Sequence, residues 1–243
     1  MRRFHLLSLL GGLSALISAC GTAAPVSNGI QTMSPTKAEA AVNTAIKNSN
    51  SVRMAISVTQ HGVTSSQILD STKTGGIRTL EVQGGTAVIL VTNKGAFLKA
   101  PSAILSRNFG LSATSASKDS GQWLSFATGT TAYFSLASGV GISSLAQEVS
   151  LTSVTRKVHP QINGVAVTAL EGSSPSGKLD LYIPDAGPLL PIAGTISVNG
   201  SVVQFAFSRW GVPVDLTPPT SSKPFTFPPT TTSSSTATTS AAG

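Results

Sequence analysis

The sequence predicts an α+β domain: an antiparallel sheet of about eleven strands accompanied by a few short helices. Three observations carry this. Only 10% of residues are charged and 5% aromatic, while Ser, Thr, Gly, Val and Ala dominate, a composition that favours β structure over a helical bundle. From Val52 the apolar period is two: Val52, Met54, Ile56 and Val58 alternate with Arg53, Ala55, Ser57 and Thr59, as in a half-buried antiparallel strand. Finally, Gly84-Gly85, Asn163-Gly164 and Asn199-Gly200 are the two-residue signals of tight hairpins.

The first element is a leader. Arg2 and Arg3 precede an apolar run from Leu6 to Ile17, which has the length of a signal-peptide core and is too short to span a bilayer. It ends in Ile17-Ser18-Ala19-Cys20, and Cys20 is the single cysteine of the chain. This resembles a bacterial lipobox. The resemblance implies removal of residues 1–19 as a lipoprotein signal peptide and acylation of Cys20 as the new N-terminus. An ordinary secretory leader with a chance cysteine is the alternative. Two or more acyl chains, each buried methylene contributing about 0.8 kcal/mol, hold a protein stably at a membrane. The expected location is therefore the cell membrane, lipid-anchored, on the extracytoplasmic face.

Residues 20–33 are small and polar and read as a flexible tether. Ser34-Pro35 then forms an N-cap followed by Pro at the first helical position. The helix continues to Lys47, with Ala38, Ala41, Val42, Ala45 and Ile46 on one stripe. After the Val52 strand, His61-Gly62 turns the chain into a second strand ending near Asp70. Strands follow near Ile77–Gln83, Thr86–Thr92 and Ala96–Lys99, a five-strand meander ended by Pro101. Ser102–Ser120 reads as a short helix around Ala103–Arg107 and a Ser/Ala/Lys loop. Gly121–Phe126 contains a short strand, and Ile142–Val149 is helical between breaker glycines. A second β run comprises Leu151–Val158, Val165–Leu170, Lys178–Ile183, Thr195–Val198 and Ser201–Ser208. The folded domain is expected to span 34–218. Residues 219–243, rich in Thr, Ser and Pro with one charge, cannot bury enough surface to offset their ordering entropy and read as a disordered tail.

The chemistry-bearing residues are sparse. The formal charge is +7, but the basic residues are scattered and only Arg156-Lys157 adjoin in the domain, which argues against a nucleic-acid reader. His61 and His159 sit beside turns. There is no metalloprotease, nucleophile-elbow, P-loop or dinucleotide motif, and Asp180 and Asp185 lack companions for metal or acid–base chemistry. No enzyme activity, no metal and no cofactor are expected. A non-enzymatic module that binds an envelope protein or a wall polymer is one reading of such a chain.

A resemblance supplies the other. Gly121-Gln122-Trp123, Leu189-Leu190-Pro191 and the closing Phe207-Ser208-Arg209-Trp210-Gly211-Val212-Pro213-Val214 resemble the LppX and LprG group of actinobacterial lipoproteins, whose fold is similar to the LolA and LolB carriers. The resemblance covers about Ser34 to Pro218. It implies a curved, half-open sheet wrapped around helices with a hydrophobic cavity between them, holding lipid or another acylated molecule. Strand alternation nominates Met54, Ile56, Val88, Leu90, Phe205 and Phe207 as its lining. Retention would then follow from apolar contact alone, without a charged anchor.

Overall fold

The computed structural model describes residues 26–60, 63–82, 85–198 and 200–225. The proposed signal peptide, Cys20, His61, Gly84, Asn199 and the chain beyond Phe225 lie outside the described residues. The architecture is one open sheet with helices packed on one face. Its first half is β1 (Ser51–Gln60), β2 (Val63–Thr72), β3 (Gly76–Val82), β4 (Gly85–Thr92), β5 (Gly95–Lys99) and β6 (Trp123–Phe126). Its second half is β7 (Thr152–Ile162), β8 (Val165–Ser174), β9 (Gly177–Pro184), β10 (Ala193–Val198) and β11 (Ser201–Ser208), and a two-residue β12 (Lys223–Pro224) follows. The strand order is β12-β6-β5-β4-β3-β2-β1-β11-β10-β9-β8-β7. Every pairing is antiparallel except β12 with β6. The two meanders are thus joined through the long β1–β11 pair, and the sheet does not close on itself.

The helices are α1 (Pro35–Asn48), α2 (Ser102–Phe109), α3 (Ala113–Asp119), α4 (Thr131–Ala137) and α5 (Ile142–Glu148). The Ser34 side chain accepts from the Lys37 amide, Pro35 starts α1, and Ala38, Val42 and Ile46 at four-residue spacing form its buried stripe. Expected as loop, α3 is a helix instead: Ser112 caps it at the Ser115 amide, and its Ala116 and Asp119 are buried. Its Ser-rich sequence has weak intrinsic preference, so the cap and the tertiary contacts decide.

Register fixes which residues face the helices. Phe207, Met54, Leu69, Arg78, Ile89, Leu98 and Leu124 are successive cross-strand partners, forming one row on the helix side. Leu105, Leu136, Ile142, Leu145 and Ala146 of the helices join the same core. On the opposite face the neighbouring row runs Arg53, Asp70, Ile77, Leu90, Phe97 and Ser125.

Both expected boundaries of the domain move outward. Of the supposed tether, Ile30 is fully buried, and Asn28 donates to the Pro184 and Gly187 carbonyls at 2.8 and 3.2 Å. Gln31 Nε2 donates to Asp185 at 2.5 Å, and Thr168 Oγ1 donates to the same carboxylate at 2.7 Å. Asp185, alone in sequence, is therefore a buried docking post for the N-terminal segment. Arg156 donates to the Ile30 and Met33 carbonyls from the edge strand. At the other end, the fold extends past Pro218: Lys223 Nζ bonds both Asp119 oxygens at 2.7 and 3.0 Å. Phe225 packs against Phe109 and Phe126 at ring separations of 5.7 and 5.0 Å. Lys223 and Phe225 are single residues in a polar stretch, and their partners lie about a hundred residues upstream, so no local pattern announces them.

The motifs of the closing segment meet in space. Trp210 Nε1 donates to the Pro191 carbonyl at 3.0 Å, and its ring stacks on Phe207 at 5.9 Å. Gly211, at φ 73°, then turns the chain back so that its amide donates to the Ser51 carbonyl.

Candidate functional site

The α4–α5 loop is pinned to the sheet at three points. Ser71 Oγ donates to the Val140 carbonyl at 2.6 Å, a buried contact. Gly76 lets Val140 approach: a Cβ there would stand 2.8 Å from Val140 Cγ1. Arg78 Nη2 donates to the Ser138 carbonyl at 3.1 Å. With this loop held down, and with α1 seated against α5 and against β7 and β8, a cleft remains between the helices and the sheet. Its volume is about 880 Å³, within the range of small-molecule sites.

Asn43 and Lys47 of α1, Leu145 and Glu148 of α5, and Ser138-Gly139 form its walls, and Met54 of β1 lies at the sheet side. The lining is mixed: Met54, Leu145, Ala146 and Pro175 are apolar, while Thr152 and Ser173-Ser174 of β7 and β8 and the charged ends of Lys47 and Glu148 are polar, so both parts of an amphiphile find a surface there. Around it are the three buried side-chain polar atoms that lack a hydrogen-bond partner among the described residues. Asn43 and Glu148 are lining residues of the cleft whose oxygens Oδ1 and Oε1 are turned out of solvent, and Arg78 Nε lies behind the Ser138 wall. Buried polar groups are almost always satisfied, so three orphans around one space mark it out.

The six nominated lining residues divide. Met54 and Phe207 are cross-strand partners, as are Ile56 and Phe205, so these four share the helix-covered face. Met54 borders the cleft. Phe207 is 5% exposed between Phe205 and Trp210 and fills core, whereas Ile56 and Phe205 line a separate pocket of about 730 Å³ beside Tyr182 and Gln204. Val88 and Leu90 are on the other face. Leu90 pairs with Ile77 and Phe97, and Val88 with Thr79 and Lys99, whereas Ala87, Ile89 and Val91 face the helices. The reason is physical: Val88-Ile89-Leu90-Val91 is a continuous apolar run from a strand buried on both faces, and such a run carries no parity.

Arg78 is what alternation could have found. Leu80 shares its parity on β3, so a charge at position 78 points inward, a conflict visible in the sequence. Burial lowers the Arg78 pKa from its ordinary value. Among the described residues no cluster of three or more His, Cys, Asp or Glu side chains could hold a metal, and no helix is long and apolar enough to cross a membrane.

No family model matches the chain, and no curated protein matches it in sequence. Solved structures do resemble it. LprF from Mycobacterium bovis is 17% identical with a TM-score of 0.51, covering 76% of this chain and 96% of LprF. The lipoprotein LppX from Mycobacterium tuberculosis is 14% identical with a TM-score of 0.48, covering 75% of this chain and 98% of LppX. The fold is thus the open, helix-covered sheet that the LppX and LprG resemblance implies, with twelve strands where about eleven were expected.

Proposed function

We propose that this chain is a membrane-anchored lipoprotein of the bacterial envelope that binds acyl chains non-covalently in the cleft between its helices and its sheet, without catalysis. The observation that carries the reading is the cleft itself: about 880 Å³, apolar at Met54 and Leu145, polar at Lys47 and Glu148, on a fold shared with LprF. The lipobox at Cys20 supports the anchor, and a protein held at a membrane surface meets lipid as its most abundant partner. Each methylene taken from water contributes about 0.8 kcal/mol, so one long chain supplies ample affinity.

The test compares the full chain with its Cys20→Ser variant, both produced in a bacterial envelope. Wild type is expected in the membrane fraction with acyl mass on Cys20, and the variant in the soluble fraction. Native mass spectrometry of the soluble variant is expected to show stoichiometric lipid, and Met54→Trp is expected to remove it while leaving the circular dichroism spectrum unchanged. A variant that carries no lipid and takes up no fluorescent fatty acid overturns the carrier reading and leaves an anchored module for an envelope protein or wall polymer.

A further inference from the structure

Arg78 is an arginine that the fold has not paired. It projects from the middle of β3 on the helix side, between Leu69 and Ile89, where its neighbours in the row are apolar. Its Nη2 donates to the Ser138 carbonyl, and its Nε is buried without a partner. The ion pairs of the described residues are Arg53–Asp70, Lys157–Glu171 and Lys223–Asp119, and none involves Arg78. A guanidinium offers five N–H donors in a planar fork matched to carboxylate and phosphate, and here only Nη2 has a protein acceptor while Nε is buried without one.

Its position relative to the cleft gives this spare capacity a use. Met54, at the sheet side of the cleft, is in the same cross-strand row, and Leu69 alone separates the two. Two strand spacings amount to about 10 Å. The wall between guanidinium and cleft is the Ser138-Gly139 backbone, and Gly139 is the residue that lets it stand so near. Gly139 has φ 70°, and a Cβ there would come within 3.2 Å of Arg78 Nη2. Around the cleft, Lys47 and Glu148 line its walls and Glu39 accepts from Ser150 at its edge, so two carboxylates accompany Lys47 and Arg78, and neither carboxylate is ion-paired with Arg78.

We infer that Arg78 binds the anionic oxygen of an amphiphile's head group, exchanging its single bond to the Ser138 carbonyl for a forked, charge-assisted one while the acyl chain runs past Met54. This rests on the acyl-binding reading and refines it, since apolar contact alone would leave the head unselected. The shared chemistry is an anionic oxygen pair, and its source is a fatty-acid carboxylate or a phospholipid phosphate.

The experiment uses the soluble Cys20→Ser chain with four probes: palmitate, hexadecanol, phosphatidic acid and diacylglycerol. Palmitate is expected to bind about ten- to a hundredfold more tightly than hexadecanol, the scale of a charge-assisted hydrogen bond. Arg78→Met is expected to abolish that preference while keeping hexadecanol binding, and Arg78→Lys to retain part of it. If the Arg78-dependent preference holds for phosphatidic acid over diacylglycerol and not for palmitate, the head is a phosphate; the converse assigns a carboxylate. Should the methionine variant not fold, carboxyl-labelled palmitate in the wild-type chain decides. Its resonance is expected to stay that of the ionised form down to a pH well below the titration seen in vesicles. Equal binding within both pairs, palmitate with hexadecanol and phosphatidic acid with diacylglycerol, or an ordinary carboxyl titration where phosphatidic acid has no advantage either, overturns the role of Arg78 and leaves it a clamp on the α4–α5 loop. Failure of all four probes to bind overturns the acyl-binding reading itself.

Discussion

The two faces of the sheet treat adjacent residues in opposite ways. Leu69 and Ile68 are neighbours on β2, yet Leu69 is 2% exposed beneath the helices and Ile68 is 42% exposed outside. The arginines divide likewise. Arg53, on the outer face, donates from Nε and Nη2 to Asp70, each at 2.8 Å, and these hydrogen bonds to the carboxylate raise the Arg53 pKa. Arg78, facing inward, has no carboxylate, and burial lowers its pKa. An outer pair at the solvent boundary contributes little to stability, while a lone inward cation costs desolvation. A charge kept where it is costly is a candidate for binding; a charge kept where it is cheap is not.

The largest effect expected from this contrast is on stability. Leu69→Ala removes a side chain packed against Met54 and Arg78 in the helix-side row, and is expected to cost about 2–5 kcal/mol. Ile68→Ala, one residue away, is expected to cost less than about 1 kcal/mol. Urea unfolding of both variants checks the pair. Equal losses would mean that the outer face is covered as fully as the inner one.

Much of this contrast is legible in the sequence, and the part that is not has a common cause. In β1 the alternation is clean, because Arg53, Ala55 and Ser57 are polar or small, and its inward set is read correctly. On β4 both faces are apolar, so parity disappears and Val88 and Leu90 are assigned to the wrong side. The outer neighbours Leu90 and Phe97 are 5% and 8% exposed, which no half-solvated sheet would explain. Ser34-Pro35 announces α1 through local chemistry, whereas α3 and β12 depend on Asp119 and Lys223 meeting across the fold. The cleft follows from the same logic. Its residues come from α1, β1, the α4–α5 loop, α5, β7, β8 and the β8–β9 turn, and only their assembly creates the space.

The C-terminal segment tests where the fold ends. Between Gly211, bonded to β1, and β12, bonded to β6, the chain traverses the breadth of four strands, with Val214, Leu216 and Pro218 half-buried at alternate positions. Ending the chain after Pro219 removes the Lys223–Asp119 pair and the Phe225 ring contacts. The loss is expected to be about 1–3 kcal/mol, since it strands a carboxylate that is 8% exposed and uncovers two rings. Amide exchange is expected to quicken in β5 and β6 and to stay unchanged in β8 and β9. A truncated chain as stable as the full one would show that the fold ends before β12.

The smallest effect is expected at the ion pair that looks most complete. Arg53 and Asp70 meet in a forked geometry on directly opposed residues of β1 and β2, which favours them over an ordinary surface pair. Their side chains are nevertheless 37% and 15% exposed, so water competes for both and salt screens them. A double-mutant cycle with Arg53→Leu and Asp70→Leu is expected to give a coupling of about 0.5–1 kcal/mol that shrinks in 1 M salt, with no change in lipid binding. The cycle sharpens the comparison because Arg53 and Arg78 then differ in both readouts. One carries a small, salt-sensitive stability and no ligand preference; the other carries the preference at a cost in stability. A coupling above about 2 kcal/mol, insensitive to salt, would mean that the outer face at this point is as dry as the inner one.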